Sequence, residues 1–331
     1  MKNGLLPLLL LLAAGAAPAA AADAPVLGLP LACDPGTDCH IQNHVDVDPG
    51  PGFSDYMCGR HGYDGDTGTD FRLPNFAAMR RGVRVVAAAP GIVRGVRDGM
   101  PDTGIPKEGA AALQGKFAGN SVAIDHGGGW ETQYSHMRQG SVAVKPGDRV
   151  EAGQVLGLVG YSGRTQFPHV ELIVRLNGKT VDPFVGPAEG WTCGQPRRPM
   201  WNEAAARELA YDPTAVLAAG FAPDQVDVER MREGAYDGLR LPAEAGRLVF
   251  WADVMGLEKG DRVETRIRDA AGNVVAREDL DMPKDQALRV VGAAVPRPAA
   301  GWLRERYVGT VRVVRGGRDI AEARRELEVG R

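Results

Sequence analysis

The chain has 331 residues with 39 basic and 42 acidic side chains, a net charge of -3. That length accommodates two ordinary domains with separate cores and makes a single small module a poor description. So balanced a charge excludes the electrostatic footprint of a nucleic-acid binder or of a protein held on an anionic membrane.

Lys2, an apolar run over residues 5–12 and small residues up to an Ala-Ala-Ala-Asp junction predict a signal peptide over residues 1–22. The run is too short to span a bilayer, and no later segment is long and apolar enough, so the expectation is a periplasmic or secreted protein with no membrane span after cleavage. In an oxidising compartment Cys33, Cys39, Cys58 and Cys193 are disulfide candidates, and four cysteines allow three connectivities. The favoured pairing joins Cys33 to Cys39 as a local loop and Cys58 to Cys193 as a clasp across the next domain.

Residues 23–55, rich in Pro, Gly and Asp, read as an arm that covers rather than builds elements, with His40 and His44 exposed. From residue 56 to 193, short runs of strand character (83–88, 91–96, 121–125, 131–134, 155–159, 170–176) alternate with glycine turns, which predicts an all-β domain. Residues 98–119 read as a loop over one edge. A linker over 194–225 is expected to carry short helices, at 201–209 and 213–219. Strands return at 248–254, 261–268, 274–279, 287–291 and 307–314, so residues 226–331 are expected to form an immunoglobulin-like β-sandwich. That domain carries no cluster of reactive residues, which makes binding or spacing its default role.

Three pieces of the middle domain concentrate polar chemistry: Asp64-Gly-Asp66-Thr-Gly-Thr-Asp70, Tyr134-Ser-His136-Met, and Pro168-His169-Val-Glu171. In the last, a spacing of two places His169 and Glu171 on one face of a strand. With the run Val-Lys-Pro-Gly-Asp-Arg-Val-Glu-Ala-Gly-Gln-Val-Leu-Gly at 144–157, they resemble lysostaphin and LytM-type peptidoglycan metalloendopeptidases, over roughly residues 56–186. The resemblance implies a lysostaphin-type antiparallel-sheet peptidase domain, with peptidoglycan as partner and zinc or another divalent cation as cofactor.

Members of that family carry a His-x-x-x-Asp motif supplying two ligands, a Tyr-x-His segment, and a His-x-His motif whose second His is the third ligand. Position by position, the resemblance assigns the metal places to Asp66, Asp70 and Glu171 and the catalytic, non-ligand histidine places to His136 and His169. Two of three ligands are thus carboxylates where the family has imidazole. An all-oxygen set favours harder cations over zinc and would acidify a bound water less. Without metal the crowded carboxylates repel, so at least one should hold a proton at neutral pH. Two functions are compatible with this pattern: a metal-dependent endopeptidase cutting peptidoglycan cross-links, or a non-cutting module that binds peptidoglycan or regulates an envelope hydrolase. His61 is a conceivable substitute ligand but reads better as a loop residue. Asp64 reads as a turn residue, and His126 as a non-ligand position.

Overall fold

The computed structural model describes residues 23–302 and 305–329. The expected signal peptide lies outside these residues. The chain is nearly all β, with antiparallel sheets throughout, and no helix among the described residues is long and apolar enough to cross a membrane.

The first domain contains β1 (His40–Asn43), β2 (Thr69–Arg72), β3 (Arg84–Val86), β4 (Gly91–Arg97), β5 (Asn120–Gly127), β6 (Trp130–Met137), β7 (Arg149–Val150), β8 (Val155–Leu158), β9 (His169–Leu176) and β10 (Lys179–Val181). The main sheet runs β1-β2-β9-β6-β5-β4-β7, with β10 paired to β9, while β3 and β8 form a separate ribbon. The central strand β9 is covered along most of its length, with Val170, Leu172 and Val174 in the core beside Phe71, Tyr134 and Val122. Helix α1 (Phe76–Arg81) begins where the Asn75 side chain accepts the Ala78 N–H and stops at Gly82, whose φ of 91° suits glycine.

Two expectations for the flanking segments are corrected here. The arm builds structure: β1 pairs antiparallel with β2, and Leu27 and Leu31 enter the main core at no more than 1% exposure. His40 and His44 are buried, because β1 places the first against the sheet and the second packs among the rings of Tyr56 and Phe184. In the linker, a helix does form at α2 (Glu203–Glu208), but the segment expected to be helical at 213–219 lies largely in a strand, β11 (Ala215–Pro223). Its alanines favour a helix locally, yet an open edge of β12 offers backbone pairing from Ala215↔Met255 to Pro223↔Leu248, and tertiary pairing overrides the local preference.

After the short helix α3 (Val228–Arg232) come β12 (Arg247–Leu257), β13 (Arg262–Arg268), β14 (Val274–Asp281), β15 (Gln286–Pro296), β16 (Arg306–Arg315) and β17 (Arg318–Glu328). Sheet β11-β12-β15 faces sheet β14-β13-β16-β17 over a core that includes Phe250, Val254, Ile267 and Val311. This seven-strand antiparallel arrangement is an immunoglobulin-like sandwich. The two domains are joined by polar contacts. Arg72 and Asp253, both buried, approach to 3.7 Å, and the Asn75 amide donates to Asp237 at 3.2 Å.

Both disulfides take the favoured pairing, Cys33–Cys39 and Cys58–Cys193, with sequence separations of 6 and 135. The second closes far the longer loop and so removes more entropy from the unfolded chain. Replacing Cys58 and Cys193 together by serine is expected to cost about 4 kcal/mol, against about 2 kcal/mol for the Cys33–Cys39 pair, readable as the difference in urea midpoints.

Candidate metal centre

The site is set by strand register. Asn43 of β1 pairs with Asp70 of β2, Asp70 with Glu171 of β9, and Glu171 with Ser135 of β6, so four polar residues lie in one row across the sheet. Residues directly opposite in such a row are in side-chain contact range, and like charges there destabilise. His169, two residues before Glu171, rises from the same face.

His136 reaches this face by another route. Between the pairs Val122↔Tyr134 and Asn120↔Met137, β6 holds one more residue than β5, which makes a bulge. His136 sits in it with φ 63°, a left-handed conformation that few non-glycine residues adopt. Its N–H is held by Ala118 O at 2.8 Å and its carbonyl by Gly160 N–H at 3.1 Å. In this way β6 turns Tyr134 into the core, where its hydroxyl accepts the Ala88 N–H, and still presents Ser135 and His136 to the site.

Asp66 enters from the loop before β2. Its Oδ1 accepts the Gly68 N–H at 3.3 Å, and its Oδ2 is buried without a hydrogen-bond partner. Gly68 is required by space: a Cβ at that position would lie 2.5 Å from Glu171 Cγ.

Protons are partitioned among these groups by burial and pairing. Nδ1 of His169 lies 2.9 Å from Phe167 O and Nδ1 of His136 lies 2.8 Å from Ser162 O, so each Nδ1 carries its hydrogen. In a neutral ring Nε2 then offers a lone pair. Yet Nε2 of His169 faces Asp70 at 3.5 Å and Nε2 of His136 faces Glu171 at 3.7 Å. A proton is needed between each ring and its carboxylate.

For the first pair, burial works against the charged forms, but mutual attraction outweighs it: His169 is raised, and Asp70, also held by the Asn43 amide at 2.8 Å, is lowered. They form an ion pair. For the second pair, burial and then the charge on His169 pull His136 down to about 3, while burial and then Asp70 push Glu171 up to about 7. A protonated Glu171 beside a neutral His136 results. Asp66 is likewise pushed up, to about 8, by burial and Asp70. Near pH 6 the cluster is therefore close to neutral overall.

Residues 66–183 match the family model described as peptidase family M23. This part of the chain is an M23 domain. Its relatives include the DD-carboxypeptidase/endopeptidase Mpg of Neisseria meningitidis serogroup B, 37% identical over 78 residues covering 23% of this chain and 17% of the relative. The peptidoglycan DD-endopeptidase ShyA of Vibrio cholerae is 46% identical over 61 residues, 18% of this chain and 14% of that one. The chain thus matches less than a fifth of the length of these curated relatives. Among solved structures, the catalytic domain of the prophage-encoded M23 protein EnpA from Enterococcus faecalis is 26% identical, covering 50% of this chain and 98% of that one at a TM-score of 0.32.

M23 domains are metallopeptidases, generally zinc-dependent. The residues at the metal places of this M23 domain do not fit such an ion. Zinc sites of hydrolases are built on imidazole or thiolate with at most a minority of carboxylates, whereas Asp66, Asp70 and Glu171 are all carboxylates. Among the described residues the one trio of His, Cys, Asp or Glu with ligand atoms all within 4.8 Å of one another is Cys33, Asp38 and Cys39, whose cysteines are disulfide-bonded.

The structure thus gathers Asp66, Asp70, Glu171, His136 and His169 at one face. Two further histidines are engaged elsewhere. His61 Nε2 lies 2.5 Å from Pro213 O in the linker, and His126 is held by Pro90 O at 2.7 Å and Thr132 Oγ1 at 2.8 Å. Sequence reasoning missed Asn43 and Ser135. Ser135 sits inside the Tyr134-Ser-His136 piece, where alternation along a strand could have flagged it; Asn43 belongs to the arm and gives no sequence signal.

Two outcomes are expected. Gly68→Ala drives a methyl into Glu171 and should cost about 1–3 kcal/mol in thermal or urea unfolding. The second concerns pH. Glu171 and Asp66 have folded pKa values above their unfolded ones, so the folded state holds protons that the unfolded state releases from about pH 4 upward. Their stabilisation is complete below the unfolded value and is lost as pH rises through about 7 and 8. His169, also raised, adds loss in the same direction. Below about pH 6.5 the buried His40, His44 and His136, whose pKa values are lowered by burial, act in the opposite sense, so the melting temperature should fall between about pH 6.5 and pH 8, and Glu171→Gln, which stays neutral at every pH, should flatten that slope.

Proposed function

We propose that the chain is an exported envelope protein whose M23 domain holds peptidoglycan peptides without hydrolysing them. The observation that carries this reading is the self-satisfied polar row: carboxylates at all three metal places, two of them, Asp70 and Glu171, facing His169 and His136. In such an arrangement the imidazoles are engaged with carboxylates instead of being free to steer a water or stabilise an oxyanion.

Export is supported by the leader pattern at residues 1–22 and by two disulfides, which persist in an oxidising compartment. The C-terminal sandwich then serves as spacer or partner surface, and an envelope hydrolase regulated by this chain is the partner class that a non-cutting M23 domain fits.

Purified chain is expected to carry far less than one zinc ion per molecule by metal analysis, to leave purified peptidoglycan uncut, and to sediment with insoluble sacculi. The Asp66→His, Glu171→His double variant rebuilds a shell of two imidazoles and one carboxylate and should take up about one zinc per chain. Chelator-sensitive release of muropeptides by the unaltered chain, lost in His136→Ala, would establish an endopeptidase instead.

A further inference from the structure

Arg72 stands at the junction between the site and the sandwich. In the β2–β9 register it lies directly opposite His169, and alternation along β2 puts it on the same face as Asp70, two residues earlier. Its guanidinium is a permanent cation on a long side chain, and Asp70 is the carboxylate that His169 faces at 3.5 Å. A buried arginine so close to a buried carboxylate has strong reason to pair with it. Here it is drawn the other way. Its one ion pair among the described residues is with Asp253 of the sandwich, at 3.7 Å, and both partners are buried, at 3% and 4% exposure. On the way there the guanidinium lies over the Phe167 ring, 4.9 Å from its centroid.

Phe167 governs the neighbouring imidazole. Its carbonyl oxygen lies 2.9 Å from Nδ1 of His169, and the two rings pack 4.5 Å apart, centroid to centroid. One guanidinium therefore braces the residue that fixes Nδ1 of His169 and leaves free the carboxylate that faces its Nε2. His136 has no such dependence. The Ser162 carbonyl that holds its Nδ1 is anchored within the M23 domain, where the Ser162 hydroxyl donates to Met137 O at 2.7 Å and accepts the Asn120 N–H at 2.8 Å.

Complementary charges keep the sandwich docked for this contact. On α1, Arg80 pairs with Glu233 at 2.7 Å and Arg81 approaches Asp237 at 3.7 Å. The turn between these acids sits tightly on the helix, since a Cβ at Gly234 would come 2.5 Å from that of Ala77. Both pairs are largely exposed, so the docking is weak enough to be released.

We infer that Asp253 is a positioning residue of the M23 site: from the other domain it holds Arg72 over Phe167 and away from Asp70, and so leaves Asp70 to His169. When the sandwich is displaced, Arg72 turns to Asp70 and takes the place of His169. The inference concerns how the ring is held and stands apart from whether the face cuts peptide or only binds it.

Exchange rates of the ring Nδ1 protons of His169 and His136, measured by NMR on the full chain, test it. Asp253→Asn should speed exchange at His169 at least fivefold and leave His136 within twofold. Adding Arg72→Met removes the competing cation and keeps an apolar side chain against Phe167, so the double variant should return His169 to within twofold of the unaltered chain. A merely loosened fold would show no such recovery. Should Asp253→Asn not fold, Glu233→Gln with Asp237→Asn decides the matter on exposed groups that leave Arg72 untouched: weaker docking should speed His169 at least twofold and spare His136. Equal acceleration at both rings, no acceleration at His169, or no recovery in the double variant would each overturn the inference.

Discussion

Asp70 and Glu171 face each other across the β2–β9 pair, and the polar row at the centre of the site follows from that register. Two carboxylates in cross-strand contact inside a buried face cannot both be ionised without help. The fold supplies the help with two imidazoles, one charged against Asp70 and one neutral against Glu171, and with the Asn43 amide from the arm. The arm is therefore part of the site. Removing its strand would expose Asp70 and take away a donor at the same time.

The same register bears on the proposal that this M23 domain holds peptide without cutting it. In the family the row would be bridged by a metal, whose charge offsets the ligands. On that proposal protons would take this role, because each substituted position, Asp66 and Glu171, brings a group whose pKa burial raises. The change is electrostatically conservative. Its chemical consequence is not, since a shared proton polarises neither a water nor a peptide carbonyl as a metal does.

The second domain is fixed to this site more closely than a flexible linker would allow. Arg72, next but one to Asp70 on β2, lies over the Phe167 ring at 4.9 Å, donates to Gln42 and meets Asp253 of the sandwich in a buried approach. Phe167 in turn packs 4.5 Å from His169, centroid to centroid. A short chain of contacts, Asp253 to Arg72 to Phe167 to His169, thus runs from the sandwich to the site. It gives the C-terminal domain a physical connection to the groove.

The sequence alone determined the all-β class and the M23 likeness, favoured one of three disulfide connectivities, and singled out the five polar side chains that the sheet brings to one face. These are legible because they depend on local features: alternation along strands, glycine turns, and short motifs whose spacing is fixed by a single strand or turn. The alanine-rich segment that became β11 was misread because its partner, β12, lies more than twenty residues away in sequence. Tertiary structure alone decided that Asn43 joins the row, that His40 and His44 are buried, that His61 turns to Pro213, and that Oδ2 of Asp66 is left without a donor. Each of these depends on which distant backbone arrives beside a side chain, and burial and hydrogen bonding are properties of that meeting, with no trace in the spacing of residues along the chain.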